Sequence, residues 1–238
     1  MTCNGIHYMV NTEEKITLRK AAWIAGFGYL LMFGAPVSEF LVFPRLVDLG
    51  NGETTINHIR ANLSLFRYDI LLYLVNFIGD LIAAWAIYIL LKPVNDLLSM
   101  FTAWLRIVYT ILSLFVLMNM LTVLQLLQPH DYLGAFTRGQ LQAQVMIALH
   151  SFREGWSFCY LFFGIYLILL GYLVFISGYI SRIIGICLII AGLGWFADNI
   201  QPYLFPDWPI HIGMIAGLGE LVFMLWLFIG GTRLKEQG

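Results

Sequence analysis

Six runs in this chain, at roughly 21–43, 70–91, 97–124, 156–176, 180–201 and 210–230, are long and almost wholly apolar. About 20 such residues in a helix cross the ~30 Å hydrocarbon core of a bilayer. Charged residues make up 11% of the sequence, against about 25% in soluble domains. Mean hydropathy is +0.81. These features predict an all-α, polytopic membrane protein with six transmembrane helices. The runs leave no space for a separate soluble unit, so residues 1–238 read as a single six-helix membrane domain.

Thirteen Lys and Arg face 14 Asp and Glu, a formal net charge of −1. That balance argues against nucleic acid as a partner, because phosphate binding needs a basic surface. The three cysteines, Cys3, Cys159 and Cys187, are far apart and form no CxxC or disulfide framework. The run from Ala21 to Phe43 is too long for the apolar core of a signal peptide, and no small-x-small cleavage site follows it. It reads as a retained span.

Lys and Arg in short loops set orientation. With the N-terminus cytoplasmic, the inner segments hold Lys15, Arg19, Lys20, Lys92, Arg182, Arg233 and Lys235, and the outer ones Arg45, Arg60 and Arg138. Both termini are therefore expected inside. The inner turns LKPVND and SGYISR are tight. In the first outer loop, Ile56, Ile59, Leu63 and Phe66 recur at helical spacing and suggest one helix lying at the interface. In the second, Thr137 and Gln140 fit a capping box. A helix from there to Ile176 would have 39 residues, so it either projects past the outer surface or breaks near Gly155. AGFGY (25–29) and AGLGW (191–195) resemble each other, as two small-residue helix contacts would, and Gly213 and Gly217 form a pair of the same kind.

Depth sorts the polar residues into two tiers. His150, Arg153 and Glu154 fall at the outer boundary, and with Ser157 they share one helix face. Glu39, Arg67, Asp69, Asp198 and His211 reach the same level from other spans. Either this tier is a wet interfacial rim or it bounds an outward-facing polar cavity. Asp80, Arg106 and Glu220 lie deeper, near mid-span, where a charge costs a few kcal/mol and must find partners. Asp80 and Arg106 stand 12 and 14 residues from Lys92 in the turn between spans two and three. That near-equal distance predicts that they pair. Asp69, Tyr73, Asn76 and Asp80 follow one helical stripe that joins the tiers, as a path or as a polar seam.

There is no HExxH, GxSxG, P-loop or helix-opening GxGxxG, and no cofactor is evident. His150 and His211 are weak metal or haem candidates, with Asp198 or Glu154 as further zinc ligands. Of the seven tryptophans, Trp23, Trp156 and Trp208 read as interface anchors. Trp85, Trp104, Trp195 and Trp226 lie deeper and read as packing, or as the wall of an apolar site.

The segments LFRYD (65–69), GDLIAAWAIYILLKPVN (79–95), LRIVYT (105–110), LHSF (149–152), FFG (162–164), LLGYLVFISGYISRIIG (169–185), AGLGW (191–195) and GELVFMLWL (219–227) stand in an order that resembles a bacterial integral-membrane family, domain-of-unknown-function family 4386. The resemblance runs from about Arg19 onward. It implies a bacterial inner-membrane protein of about six spans and no particular activity. Arg67, Asp80, Arg106, His150 and Glu220 fall in matching segments, whereas Arg153 and Glu154 depart from the family pattern.

The leading functional expectation is an outer-face site that binds, senses or transports a small polar or zwitterionic ligand or a lipid headgroup. Arg67 and Arg153 would hold its anionic group and the acids its cationic one. One alternative is an intramembrane metal- or haem-dependent enzyme using His150. The other is a structural bundle that assembles with itself, as a homo-oligomer, or with a partner.

Overall fold

The computed structural model describes residues 16–128, 131–205 and 217–234. Expectations that rest on Cys3, Trp208, His211 and Gly213 fall outside those residues. Among the described residues every regular element is helical. Helix α1 covers Leu18–Leu31, α2 Gly34–Val37, α3 Phe43–Leu46, α4 Gly52–Ala61, α5 Leu63–Leu91, α6 Asp96–Leu127, α7 Arg138–Ile176, α8 Arg182–Leu204 and α9 Leu218–Ile229. Among the described residues, five helical stretches, Leu18–Leu46 (α1 to α3), α5, α6, α7 and α8, are long and apolar enough to cross a membrane. The sixth expected run is represented by the 12 residues of α9.

The long helices pack in chain order as a closed ring: α1 on α5, α5 on α6, α6 on α7, α7 on α8, α8 on α9, and α9 back on α1. Their outer faces carry large bare apolar side chains, such as Leu97 (75% exposed) and Phe115 (71%). Water would not tolerate so much of this surface; lipid does. The inner faces carry the polar residues Asn76, Asp80, Ser99, Thr102, Arg106 and Ser113, all buried. Apolar outside and polar inside is the arrangement a bilayer selects.

Glycine sets how closely the helices approach. On α7 and α8, Gly164 meets Gly192 and Gly171 meets Gly185, seven residues apart on each antiparallel helix. A Cβ on Gly171 would lie 2.7 Å from the Gly185 carbonyl oxygen. On the other side of the ring, a Cβ on Gly28 would lie 2.9 Å from the Gly79 carbonyl oxygen. The two look-alike motifs AGFGY and AGLGW are thus both helix contacts made by small residues.

Two turns close one end of the bundle. Asn95 caps α6, its Oδ1 accepting from the Leu98 N–H at 3.0 Å. In the other, Gly178 takes φ +77, the left-handed region that glycine enters without a Cβ penalty. At the opposite end, Thr137 and Gln140 form the expected capping box, and α7 then runs unbroken for 39 residues. It does not break at Gly155. The interfacial helix is shorter than the spacing suggested. Asn62 leaves helical geometry (φ −128, ψ 42), so Ile56 and Ile59 belong to α4, whereas Leu63 and Phe66 open α5.

The first span is not one straight helix. α1 stops at Leu31, and a Cβ on Gly34 would collide with the Leu72 carbonyl of α5. Pro36 has no N–H to give the carbonyl one turn back, and Pro44 repeats the loss. Between them Ser38–Val42 forms a π turn, closed by the Phe43 N–H on the Ser38 carbonyl. Irregular backbone at membrane depth is tolerated where it borders a cavity.

Candidate functional site

The break in the first span opens such a cavity, of about 640 Å³, within the helix ring. Met32, Pro36 and Glu39 form the wall from span one, and Glu220 and Met224 the wall from α9. Between them α5 contributes Tyr73, Asn76 and Asp80, α6 Arg106 and Tyr109, α7 Arg153 and Trp156, and α8 Trp195 and Asp198.

At the floor, Asp80 and Arg106 pair across α5 and α6. The Nε of Arg106 donates to Asp80 Oδ1 at 2.9 Å and its Nη2 donates to the same oxygen at 2.5 Å. Asn76 Nδ2 donates to Asp80 Oδ2 at 3.0 Å, so both carboxylate oxygens are occupied. Arg106 is 0% exposed. Its Nη2 also meets Met32 Sδ at 2.9 Å. Its guanidinium carbon lies 4.6, 5.1 and 5.5 Å from the ring centroids of Tyr166, Phe163 and Tyr29. Rings at that distance stabilise a cation that water cannot reach. Arg106 Nη1, the Tyr29 hydroxyl and the Tyr166 hydroxyl interact electrostatically but fall short of hydrogen-bond geometry. Glu220, half-buried, lies within electrostatic reach of Arg106 and beside Trp195.

At the rim, Arg153 of α7 donates to Glu39 Oε1 in the π turn. Nearby, Ser157 Oγ donates to Asn199 Oδ1 at 2.7 Å, tying α7 to α8. The walls between are aromatic. Tyr73 and Trp156 have centroids 5.4 Å apart, Trp156 and Tyr160 5.6 Å, and Tyr160 and Trp195 4.6 Å, the last pair stacked. A band of rings thus crosses from α5 over α7 to α8. On α7 the wall comes from Phe152, Trp156, Tyr160 and Phe163, one stripe at steps of four and three.

The structure divides the residues expected at the site. Glu39, Asp80, Arg106, Arg153, Asp198 and Glu220 do line one cavity. Arg67, His150 and Glu154 are exposed and do not line it. Their depth is shared with the rim, but on their helices they point elsewhere. Asp69 is fully buried beside Ser38, just outside the wall, so the stripe reaches the cavity only from Tyr73 inward. Of the two arginines expected to hold an anionic group, Arg153 lines the cavity and pairs with Glu39, and Arg67 does not line it. Among the described residues no three His, Cys, Asp or Glu side chains gather as a metal site.

Trp156 is 7% exposed and packed against Tyr160 in the wall, not an interface anchor. Trp85 and Trp104 face outward, 49% and 63% exposed, whereas Trp195 does wall the cavity. Sequence reading missed the π turn and the ring stripe of α7. The signals for both were present, as Gly34 with Pro36 and as the four-and-three spacing of aromatic residues.

The chain matches the model of a family described as a domain of unknown function, DUF4386, over residues 24–231, and it belongs to that family. It is also 32% identical over 175 residues to an uncharacterized protein of Archaeoglobus fulgidus, covering 74% of this chain and 91% of the relative. No solved structure matches.

Proposed function

We propose that this member of the DUF4386 family holds a small polar ligand or a lipid headgroup in its intramembrane cavity, as a binding, sensing or transport protein. One observation carries the reading. A cavity of about 640 Å³ lies inside the helix ring beside a broken span, and charged side chains line it at membrane depth. A bundle that needed only stability would fill that volume with apolar side chains, since unfilled volume costs ~24 cal/mol per Å³. Broken helices flanking a charged cavity are also the usual construction of small-ligand sites in membrane transporters.

The proposed setting is one domain of six spans, the last over about 210–230, in the inner (plasma) membrane of a bacterium with both termini cytoplasmic. The concentration of Lys and Arg in the short turns supports that orientation. The cavity mouth at Glu39 and Arg153 would then face outward. A homo-oligomer is compatible with this reading but not required by it.

Native mass spectrometry of the purified chain in mild detergent tests the proposal. The expected result is a retained small molecule or lipid that is lost in Ala35→Phe, which places a ring in the cavity wall. A bare protein, with no compound of a polar metabolite library raising its melting temperature, would overturn it.

A further inference from the structure

A groove of about 720 Å³ lies at the end of the bundle where α1 begins and α9 ends. It shares no lining residue with the intramembrane cavity. Leu18 of α1, Ile184 of α8, and Val222, Leu225 and Ile229 of α9 wall it with aliphatic side chains, and Trp226 adds a ring. Gly230 leaves room for that ring: a Cβ there would strike the indole nitrogen. Tyr179 also lines the groove, its hydroxyl already donating to the Leu90 carbonyl. Binding clefts for small molecules hold about 300–1,000 Å³, so the volume suits a ligand, and the aliphatic wall suits hydrocarbon.

One residue of the wall is charged, and it is a cation, Arg233. It is exposed. Arg19 and Arg182, also exposed, stand one and two residues from the wall at Leu18 and Ile184. Among the described residues none of these three arginines makes an ion pair. The carboxylate described at this end, Asp96, opens α6 across the ring and stands beside Lys92. The groove therefore joins a hydrocarbon wall to a positive edge, and a guanidinium fork matches phosphate oxygens two at a time. A soluble anion would gain nothing from the wall. A zwitterionic headgroup would carry a second cation up to the arginines.

We propose that this groove is a second, separate site, which holds an acyl chain of an anionic phospholipid with its phosphate on Arg233. Arg19 and Arg182 add to the positive field at the headgroup.

Trp226 makes the site readable by fluorescence quenching. The full chain is placed in phosphatidylcholine bilayers, and brominated phosphatidylglycerol or brominated phosphatidylcholine is titrated in. The Trp226 signal is the difference between the parent and Trp226→Phe. Brominated phosphatidylglycerol should quench it at about a fivefold lower mole fraction, the effect of one cation near an anionic headgroup. Arg233→Gln, at an exposed position, should lower that preference at least threefold. Equal quenching by the two lipids would overturn the proposal, as would a preference that Arg233→Gln leaves in place. Quenching by neither would mean that protein covers the groove, and would overturn it too. Should Trp226→Phe fail to fold, native mass spectrometry takes its place, with the parent and Arg233→Gln equilibrated in an equal mixture of the two lipids. The parent should retain phosphatidylglycerol about fivefold over phosphatidylcholine and the variant close to equally; retention without preference in the parent would overturn the site. None of these results bears on the intramembrane cavity, whose residues lie elsewhere.

Discussion

The Asp80–Arg106 pair makes a quantitative claim that can be broken. Both side chains are essentially without solvent contact (1% and 0% exposed), and Asp80 Oδ1 takes two bonds from one guanidinium. Removing one member leaves the other as an uncompensated charge in a low-dielectric interior. Such a loss costs about 3–5 kcal/mol, whereas replacing both members by apolar residues of similar volume is often neutral. Asp80→Leu alone and Arg106→Met alone should each lower the folding constant about 10²- to 10⁴-fold, at 1.4 kcal/mol per factor of ten. The double variant should lie within about 2 kcal/mol of the parent, giving a coupling energy of several kcal/mol. Reversible unfolding in bicelles, followed by tryptophan fluorescence, measures all four corners of the cycle. Additive losses would refute the reasoning, as would single variants that cost under 1 kcal/mol. Either result would mean that the two charges find other partners or water.

Three further outcomes are expected. Gly171→Ala should destabilise the chain by about 1–3 kcal/mol, since its Cβ would sit 2.7 Å from the Gly185 oxygen, while Gly139→Ala, with open space around it, should change little. Thermal unfolding compares them. Tyr179, in the turn after α7, donates its hydroxyl to the Leu90 carbonyl, and burial pushes its pKa from 10 up to about 12. Its folded pKa is the higher one, so the stability it contributes is complete below pH 10 and fades as pH rises towards 12. Tyr179→Phe should cost about 1 kcal/mol at neutral pH and flatten that alkaline decline, which pH-resolved melting would show. Arg153→Gln should change stability by under about 1 kcal/mol, the rim pair being partly exposed, yet speed thiol labelling of a Ser157→Cys reporter by opening the rim. Unchanged labelling would mean that the bridge does not guard the cavity.

Hydropathy made the depth of each residue legible, but not its rotation about the helix axis. That is why Asp80 and Arg106 were paired from the sequence: equal distance from a tight turn fixes depth on two antiparallel helices, and a buried charge must turn towards a partner. The outer tier carried no such second condition. At a wet boundary a charge can point anywhere, so His150, Arg67 and Glu154 shared the rim's depth and none of its direction. The capping box at Thr137 was legible because it is local, two side chains three residues apart. The break in span one was harder to see. Gly34 and Pro36 signal one, but whether a membrane helix bends or stops at proline depends on the neighbours that take up its unpaired carbonyls. The ring stripe on α7 was hidden by the abundance of aromatic residues, which serve equally as packing, as anchors and as site walls.

The unbroken length of α7 has a mechanical consequence. Its 39 residues make a rod of about 58 Å, nearly twice the hydrocarbon thickness. The partner helix α8 has 23 residues and starts beside the rod's last turn, so the surplus stands at the other end. There Gln142 and Met146 press on Gly52 at the start of α4. Arg153 lies partway along, where the rod enters the bundle, and below it the glycines at 164 and 171 clamp the rod to α8. The projecting end is held as well: Val145, Ala148 and Leu149 are buried. A rod gripped at both ends cannot tilt without loosening one grip, so α4, the Arg153–Glu39 bridge and the glycine clamp belong to one stiff frame.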